Sequence, residues 1–310
     1  MFELLSDYTF RTVLLGTTMI GAVSGALGCF AYLRRQSLMG DVISHSSLLG
    51  VMLFFLGSYV FTGVGSKSLV LLIPGAILAG TAALLLTRTI VHRTRLKEDS
   101  SLGVMLALFF GAGIVLLRWV QRVEPAIPGR RGLDNYLFGM AAAMTQDDLW
   151  MIGILGFLSI GIMLLLWKEL KVFTFDPLFS HSLGYRTTRL DTLLVIILVV
   201  GVVIGIQSVG VVLMIALLIT PASAARQWTR RLGRMVLLAS LIGAICGLVG
   251  SVVSATYSHV PTGPVIVLTA TLIFALSLLF APRRGVVSMM LHRKKLTARL
   301  RQGEVGRMAQ

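Results

Sequence analysis

Apolar stretches of about twenty residues recur from one end of this chain to the other, separated by short polar links. The hydrocarbon core of a bilayer is about 30 Å thick, a distance that a helix covers in about 20 residues. Windows of this kind fall near 11–33, 38–61, 69–90, 100–120, 149–167, 190–206, 208–225, 235–257 and 264–281. Backbone polar groups in lipid must be satisfied within their own segment, so these windows are expected to be helices. The predicted fold class is all-α: a polytopic membrane protein with about nine transmembrane helices, eight to ten being the range the windows allow. The run 190–225 is too long for one crossing, and Gly205, Gln207, Ser208 and Gly210 mark its expected turn. With 56% hydrophobic and 13% charged residues in a chain of 310, no single water-soluble core hides this apolar surface. The opening MFELLSDYTF has neither the charged start nor the cleavage site of a removable leader, so the first helix is expected to stay in place.

A net charge of +15 raises nucleic acid as a partner, but its distribution argues against that. Arg34 and Arg35 follow the first span, Arg88, Arg93, Arg95 and Lys97 the third, Lys168, Lys171, Arg186 and Arg189 the fifth, and Arg226, Arg230, Arg231 and Arg234 the seventh. Alternate links are basic, which places them in the cytoplasm and gives an outside N-terminus and a cytoplasmic C-terminus. Residues 1–282 form the expected transmembrane domain and 283–310 a basic cytoplasmic tail, whose partner is anionic membrane lipid. One link breaks the charge rule. It carries Arg118, Arg122, Arg130 and Arg131 on the predicted outer face, then LDNYLFGMAAAMTQDDL, which reads as a short surface or re-entrant helix. Either the topology is wrong at this link, or those arginines serve an external partner, or they are simply solvated.

Glycines four apart in GAVSG (Gly21, Gly25), GVVIG (Gly201, Gly205) and GAICG (Gly243, Gly247) are candidate sites of close helix approach. Cys29 and Cys246 lie in separate apolar windows without CxxC spacing, which suits packing rather than a disulfide or a thiolate cluster.

Asp41 and His45 stand four apart inside the second apolar window and so share one helix face. Placing Asp near a bilayer centre costs roughly 2.5–3.5 kcal/mol on insertion scales, and such residues usually face a bundle interior or a water-filled path. If Arg35 marks the headgroups, Asp41 is about 9 Å and His45 about 15 Å into the membrane. A carboxylate and an imidazole suit Mn²⁺, Zn²⁺ or Fe²⁺. Two ligands hold an ion weakly, as a conduit requires; further ligands come from a second chain or from another helix. The plainer alternative is that the pair bond each other. His259, His92 and His292 read as solvated or headgroup neighbours.

Between the fifth and sixth windows lies KELKVFTFDPLFSHSLGYRTTRL. Asp176 suits an N-cap, Pro177 the first helical position and Gly184 the residue past the end, which predicts a capped helix of about two turns outside the bilayer. A helix of this kind can be an ordinary loop helix or the knob that engages a motor subunit. No Gly-Lys dipeptide occurs, so GxxxxGK[ST] is absent and nucleotide chemistry must come from another chain.

RRQSLMGDVISHSSLLGV, LDNYLFGMAAAMTQDDL, ELKVFTFDPLFSHSLG, QSVGVVLMIALLITPASAAR and VPTGPVIVLTATLIFALSLLFAP, in that order, resemble the landmark segments of the metal-ion ABC permeases, membrane subunits of bacterial manganese, zinc and iron importers. The resemblance implies a vitamin B12 importer-like permease architecture in the bacterial cytoplasmic (inner) membrane. It implies a second permease chain, identical or homologous, a cytoplasmic ABC ATPase dimer and an extracytoplasmic metal-binding protein, with no nucleic acid and no tightly bound cofactor. The family's metal residues fall on Asp41 and His45, and its coupling helix on about 176–184, through Asp176, Pro177, Leu178, Phe179, His181, Leu183 and Gly184. His181 departs from the Ala or Arg of the coupling segment, and Ser47 and Leu49 from the Val and Pro after the histidine.

The expected function is import of a divalent transition metal by a subunit that is not itself an enzyme, manganese first, then zinc or iron. Arg130 and Arg131 are expected to dock acidic residues of the binding protein. The rivals are a proton-coupled secondary carrier and an ABC permease for a metal chelate such as a siderophore or cobalamin.

Overall fold

The computed structural model describes residues 7–34, 38–66, 68–123, 126–130, 132–133, 139, 144–257, 260–282, 285 and 288–289. Arg35, Arg131, His259, His292, nearly all of the segment 134–143 and nearly all of the basic tail lie outside them. The described residues form eleven helices: α1 Tyr8–Leu33, α2 Leu38–Thr62, α3 Leu69–Arg93, α4 Glu98–Arg122, α5 Gln146–Leu165, α6 Trp167–Phe175, α7 Pro177–Ser182, α8 Thr187–Val209, α9 Val211–Trp228, α10 Leu232–Thr256 and α11 Thr262–Phe280. Eight of these are long and apolar enough to cross a membrane. The 18-residue α9 supplies the ninth expected window.

The helix ends follow local chemistry. Asp7 caps α1 by accepting from the Thr9 N–H at 2.9 Å. At α5 the Thr145 hydroxyl accepts from the Asp148 N–H at 3.3 Å, while the Asp148 carboxylate accepts from the Thr145 N–H at 2.9 Å. This reciprocal cap starts α5 at Gln146, ahead of the apolar window, because Gln146, Asp147 and Asp148 are too polar to register as membrane-spanning. The tail of the expected surface helix therefore belongs to α5.

At 210 the chain turns on one residue. Gly210 adopts φ +95° and ψ 158°, closing α8 and opening α9. A Cβ at Gly205 would meet the Met214 sulfur at 2.2 Å, so the missing side chain lets α9 start close against the end of α8.

Glycines also set the tightest helix pair, α1 against α10. Cβ atoms at Gly21 and Gly25 would lie 2.1 and 2.2 Å from the carbonyl oxygens of Gly243 and Ala239. One at Gly247 would lie 2.3 Å from that of Thr17. Two of the predicted glycine motifs thus meet each other, backbone to backbone and antiparallel. The Thr17 hydroxyl adds an interhelical hydrogen bond to the Gly247 carbonyl at 3.1 Å. Lipid tails are as apolar as leucine, so such close packing and hydrogen bonding hold membrane helices together.

Helices α1, α8 and α9 form the buried centre, and α2 packs against α3, α4, α8 and α9 beside them. Helices α4, α5 and α11 turn broad apolar faces outward, such as Trp150, Ile154 and Phe157 of α5 and Leu268 and Leu272 of α11. One end of the bundle gathers the C-termini of α1, α3, α5, α9 and α11, the N-termini of α2, α4, α8 and α10, and the short α6 and α7. Helix α6 follows α5 after a break at Leu166 and lies with Leu170 and Phe173 buried while Lys168 and Lys171 are exposed. Trp167 fixes it edge-on against Phe30 of α1, ring centroids 6.2 Å apart.

Candidate metal-ion path

Over its first sixteen residues, from 38 to 53, helix α2 is covered by its own chain on every side but one. Between positions 38 and 53 the side chains that are not buried are Leu38, Asp41, His45, Leu49 and Leu53. These steps of three and four trace a single narrow stripe. The remainder of the turn is sealed, with Val42, Ile43, Leu48, Val51 and Met52 fully buried. Gly40 permits this on the α9 side, where a Cβ would stand 3.2 Å from Leu218 Cδ2. On the α4 side, Gly113 lets Leu48 and Leu49 approach.

The carboxylate and the imidazole therefore sit on the one stripe of this part of α2 that the described residues leave open. Along α2 itself, Asp41 is about 4–5 Å and His45 about 10 Å from the helix start. The His45 ring packs edge-on against Phe110 of α4, centroids 4.5 Å apart and planes at 67°. Its Nδ1 is buried with no hydrogen-bond partner, as are the Ser44 and Ser46 hydroxyls. Ser47 donates to the Ser44 carbonyl at 2.6 Å, and α2 runs unbroken past Leu49. Among the described residues, no cluster of three or more His, Cys, Asp or Glu side chains is placed to hold a metal. The chain thus offers two candidate ligands at this point, a carboxylate oxygen and an imidazole nitrogen.

At the end of the bundle nearest α2's start, the expected capped helix forms. The Asp176 carboxylate accepts from the Phe179 N–H at 2.9 Å, Pro177 takes the first position, and Gly184 follows with φ +84°. Six residues make it shorter than two turns. Leu178, Phe179 and Leu183 are exposed, an apolar surface that no described residue covers, and His181 beside them is exposed too.

At the opposite end Arg130 is half-buried and donates from Nη1 to the Val123 carbonyl at 3.0 Å, at the C-cap of α4. Its charge answers in part to that helix terminus. The Pro128 carbonyl accepts from the Gly65 N–H at 3.0 Å, which joins this link to the α2–α3 turn. Cys29 and Cys246 are both buried and free, and His92 is exposed in the last turn of α3.

Sequence reasoning missed one cluster. Arg34 and Arg88 converge on Asp191 near the start of α8. The signal was there: Arg88 lies inside the third apolar window, an ionisable residue that needs a partner as much as Asp41 does.

Eight helices long and apolar enough to cross a membrane, one of which turns an acid and an imidazole outward, define an integral membrane protein. The chain belongs to the ABC 3 transport family, whose profile matches residues 6–281. It is 40% identical over 293 residues to the manganese transport system membrane protein MntC of Bacillus subtilis (strain 168), covering 94% of this chain and 66% of that protein's length. It is 40% identical over 303 residues to the zinc transport system membrane protein TroC of Treponema pallidum (strain Nichols), covering 98% of this chain and 99% of that one. Its fold is similar to a solved chain of PsaBC from Streptococcus pneumoniae in complex with Fab, with TM-score 0.79 at 30% identity, covering 93% of this chain and 97% of that one.

Proposed function

We propose that this chain is the membrane permease subunit of an ATP-driven importer of divalent transition metal ions in the bacterial inner membrane, with manganese the first candidate, zinc the second and iron the third. One observation carries the reading: over positions 38–53 of a spanning helix that is otherwise buried there, Asp41 and His45 occupy the one uncovered stripe. A carboxylate facing lipid there is untenable, so the stripe faces a path shared with a second permease chain. Two ligands from each chain supply four, enough to strip part of an ion's hydration without trapping it. The face of α4 next to this stripe supports close approach. Gly103 and Gly111 have open space beside them, Ala107 between them is exposed, and Phe110, which touches His45, adjoins them.

Most of the described basic residues lie at the end of the bundle that carries α6 and α7, which supports a cytoplasmic position for that end and an outside N-terminus. ATPase subunits supplied in trans engage the exposed Leu178, Phe179, His181 and Leu183, and their closure moves α7. This chain contributes no Gly-Lys phosphate loop. The relatives named for manganese and zinc transport support the order of the ions. The family match leaves the proton-coupled carrier without support, and bare ligands in the path argue against a chelate.

Metal arrives on an extracytoplasmic binding protein, for which Arg130 and Arg131 are the proposed dock. Reversing both charges to Glu is expected to weaken binding-protein affinity at least tenfold, measured on the assembled transporter at low salt. An unchanged affinity would remove the arginines from the interface. The importer reading itself is tested by metal competition: uptake of radioactive manganese that unlabelled zinc or iron displaces in a definite order ranks the ions, and uptake of a ferric chelate without any bare ion would overturn it.

A further inference from the structure

Asp191 ties three helix ends together. Arg34, the residue after α1, donates from Nη1 to its Oδ1. Arg88, near the end of α3, sets Nη2 2.7 Å from its Oδ2 and 3.2 Å from its carbonyl, and Nη1 3.4 Å from the Thr192 hydroxyl. The side chains of Arg34, Arg88 and Asp191 are only 15%, 19% and 21% exposed. Glu98, at the start of α4, adds a second negative charge within reach of Arg88. The same Arg34 guanidinium lies over the ring of Phe173 at 4.7 Å from its centroid. Phe173 is buried on α6 and stands three residues before Asp176, the cap of α7. In the other direction, three residues separate Arg34 from α2, and Asp41 is in the first turn of that helix.

Paired charges that are largely shielded from water hold their geometry better than exposed ones, and removing one partner leaves the others uncompensated. A cation stacked on an aromatic face adds a directional contact. We propose that Asp191, Arg34, Arg88 and Phe173 form a mechanical junction that carries displacement of α7 through α6 to the start of α2, and so to Asp41 and His45. The inference rests on the importer reading above and deepens it. These are positioning residues, since none touches the ion.

The test uses the whole transporter, permease with its ATPase subunits and metal-loaded binding protein, in proteoliposomes. Metal ions moved per ATP hydrolysed is the readout, which a merely structural role does not shift in assembled complexes. Asp191→Asn is expected to lower that ratio about fivefold or more while hydrolysis persists, with Asp191→Glu restoring it and Phe173→Leu falling between. A wild-type ratio in Asp191→Asn overturns the junction. Failure of the wild type to move metal with ATP would instead overturn the importer reading. If Asp191→Asn does not assemble, Phe173→Leu decides, since it keeps the apolar volume and removes only the ring: an unchanged ratio overturns the junction and a lowered one supports it.

Discussion

Asp41 and His45 stand one helical turn apart on a stripe otherwise made of leucines, and the imidazole leans on a neighbour for its orientation. Phe110 is the side chain seen against the imidazole, and the buried Nδ1 leaves Nε2 as the nitrogen that can reach an ion. An aromatic contact of this kind contributes about 1 kcal/mol, so Phe110→Ala is expected to raise the half-saturating metal concentration roughly fivefold. The measurement is concentration-dependent uptake at matched expression, and an unchanged midpoint would show that the ring is held by something else. At this scale the sequence was legible where a residue clashed with its setting. Asp41 and His45 stood out because charge in an apolar helix demands a reason. Asp191 did not, because it stands at the edge of its apolar window, where charge is ordinary, and its bond to Arg88 depends on how α3 and α8 pack.

The helices repeat that division. Apolar windows located the spans to within a few residues, since the length of a crossing is imposed by the bilayer. The capped helix after Asp176 and the turn near Gly210 were legible because Pro and Gly act locally. Which glycines meet was not, since the motifs on α1 and α10 are far apart in the chain and similar spacings occur elsewhere. Gly21→Leu drives side-chain atoms into the Gly243 carbonyl and is expected to destabilise the permease strongly, whereas Gly161→Ala enters open space and is expected to be silent. Comparing their melting temperatures in detergent checks this, and equal stability would contradict the packing. For α7, Asp176→Ala removes the cap, a loss of about 1 kcal/mol. The expected result is roughly fivefold weaker association with the ATPase subunits in a pull-down titration; full affinity would mean that α7 is held by its partner instead.

As a whole molecule, the chain has a central core of α1, α8 and α9 and leaves the stripe of Asp41 and His45 uncovered, where the proposed second permease chain would pack. Leu53 extends that stripe and is 51% exposed, while Leu272 of α11 is 61% exposed on another side of the bundle. Leu53→Cys is expected to cross-link two copies in native membranes and Leu272→Cys to remain monomeric. The two native cysteines are buried and do not compete. Equal cross-linking at both positions, or cross-linking only at Leu272→Cys, would place the second chain elsewhere.

The most direct test of the account is ATP-driven uptake of radioactive manganese and zinc by the reconstituted transporter, comparing wild type with Asp41→Asn and His45→Ala at equal membrane content. Loss of at least tenfold in both variants, with assembly and ATP hydrolysis intact, is the predicted result. Undiminished uptake in either variant would contradict the claim that the bare ion passes between these two side chains.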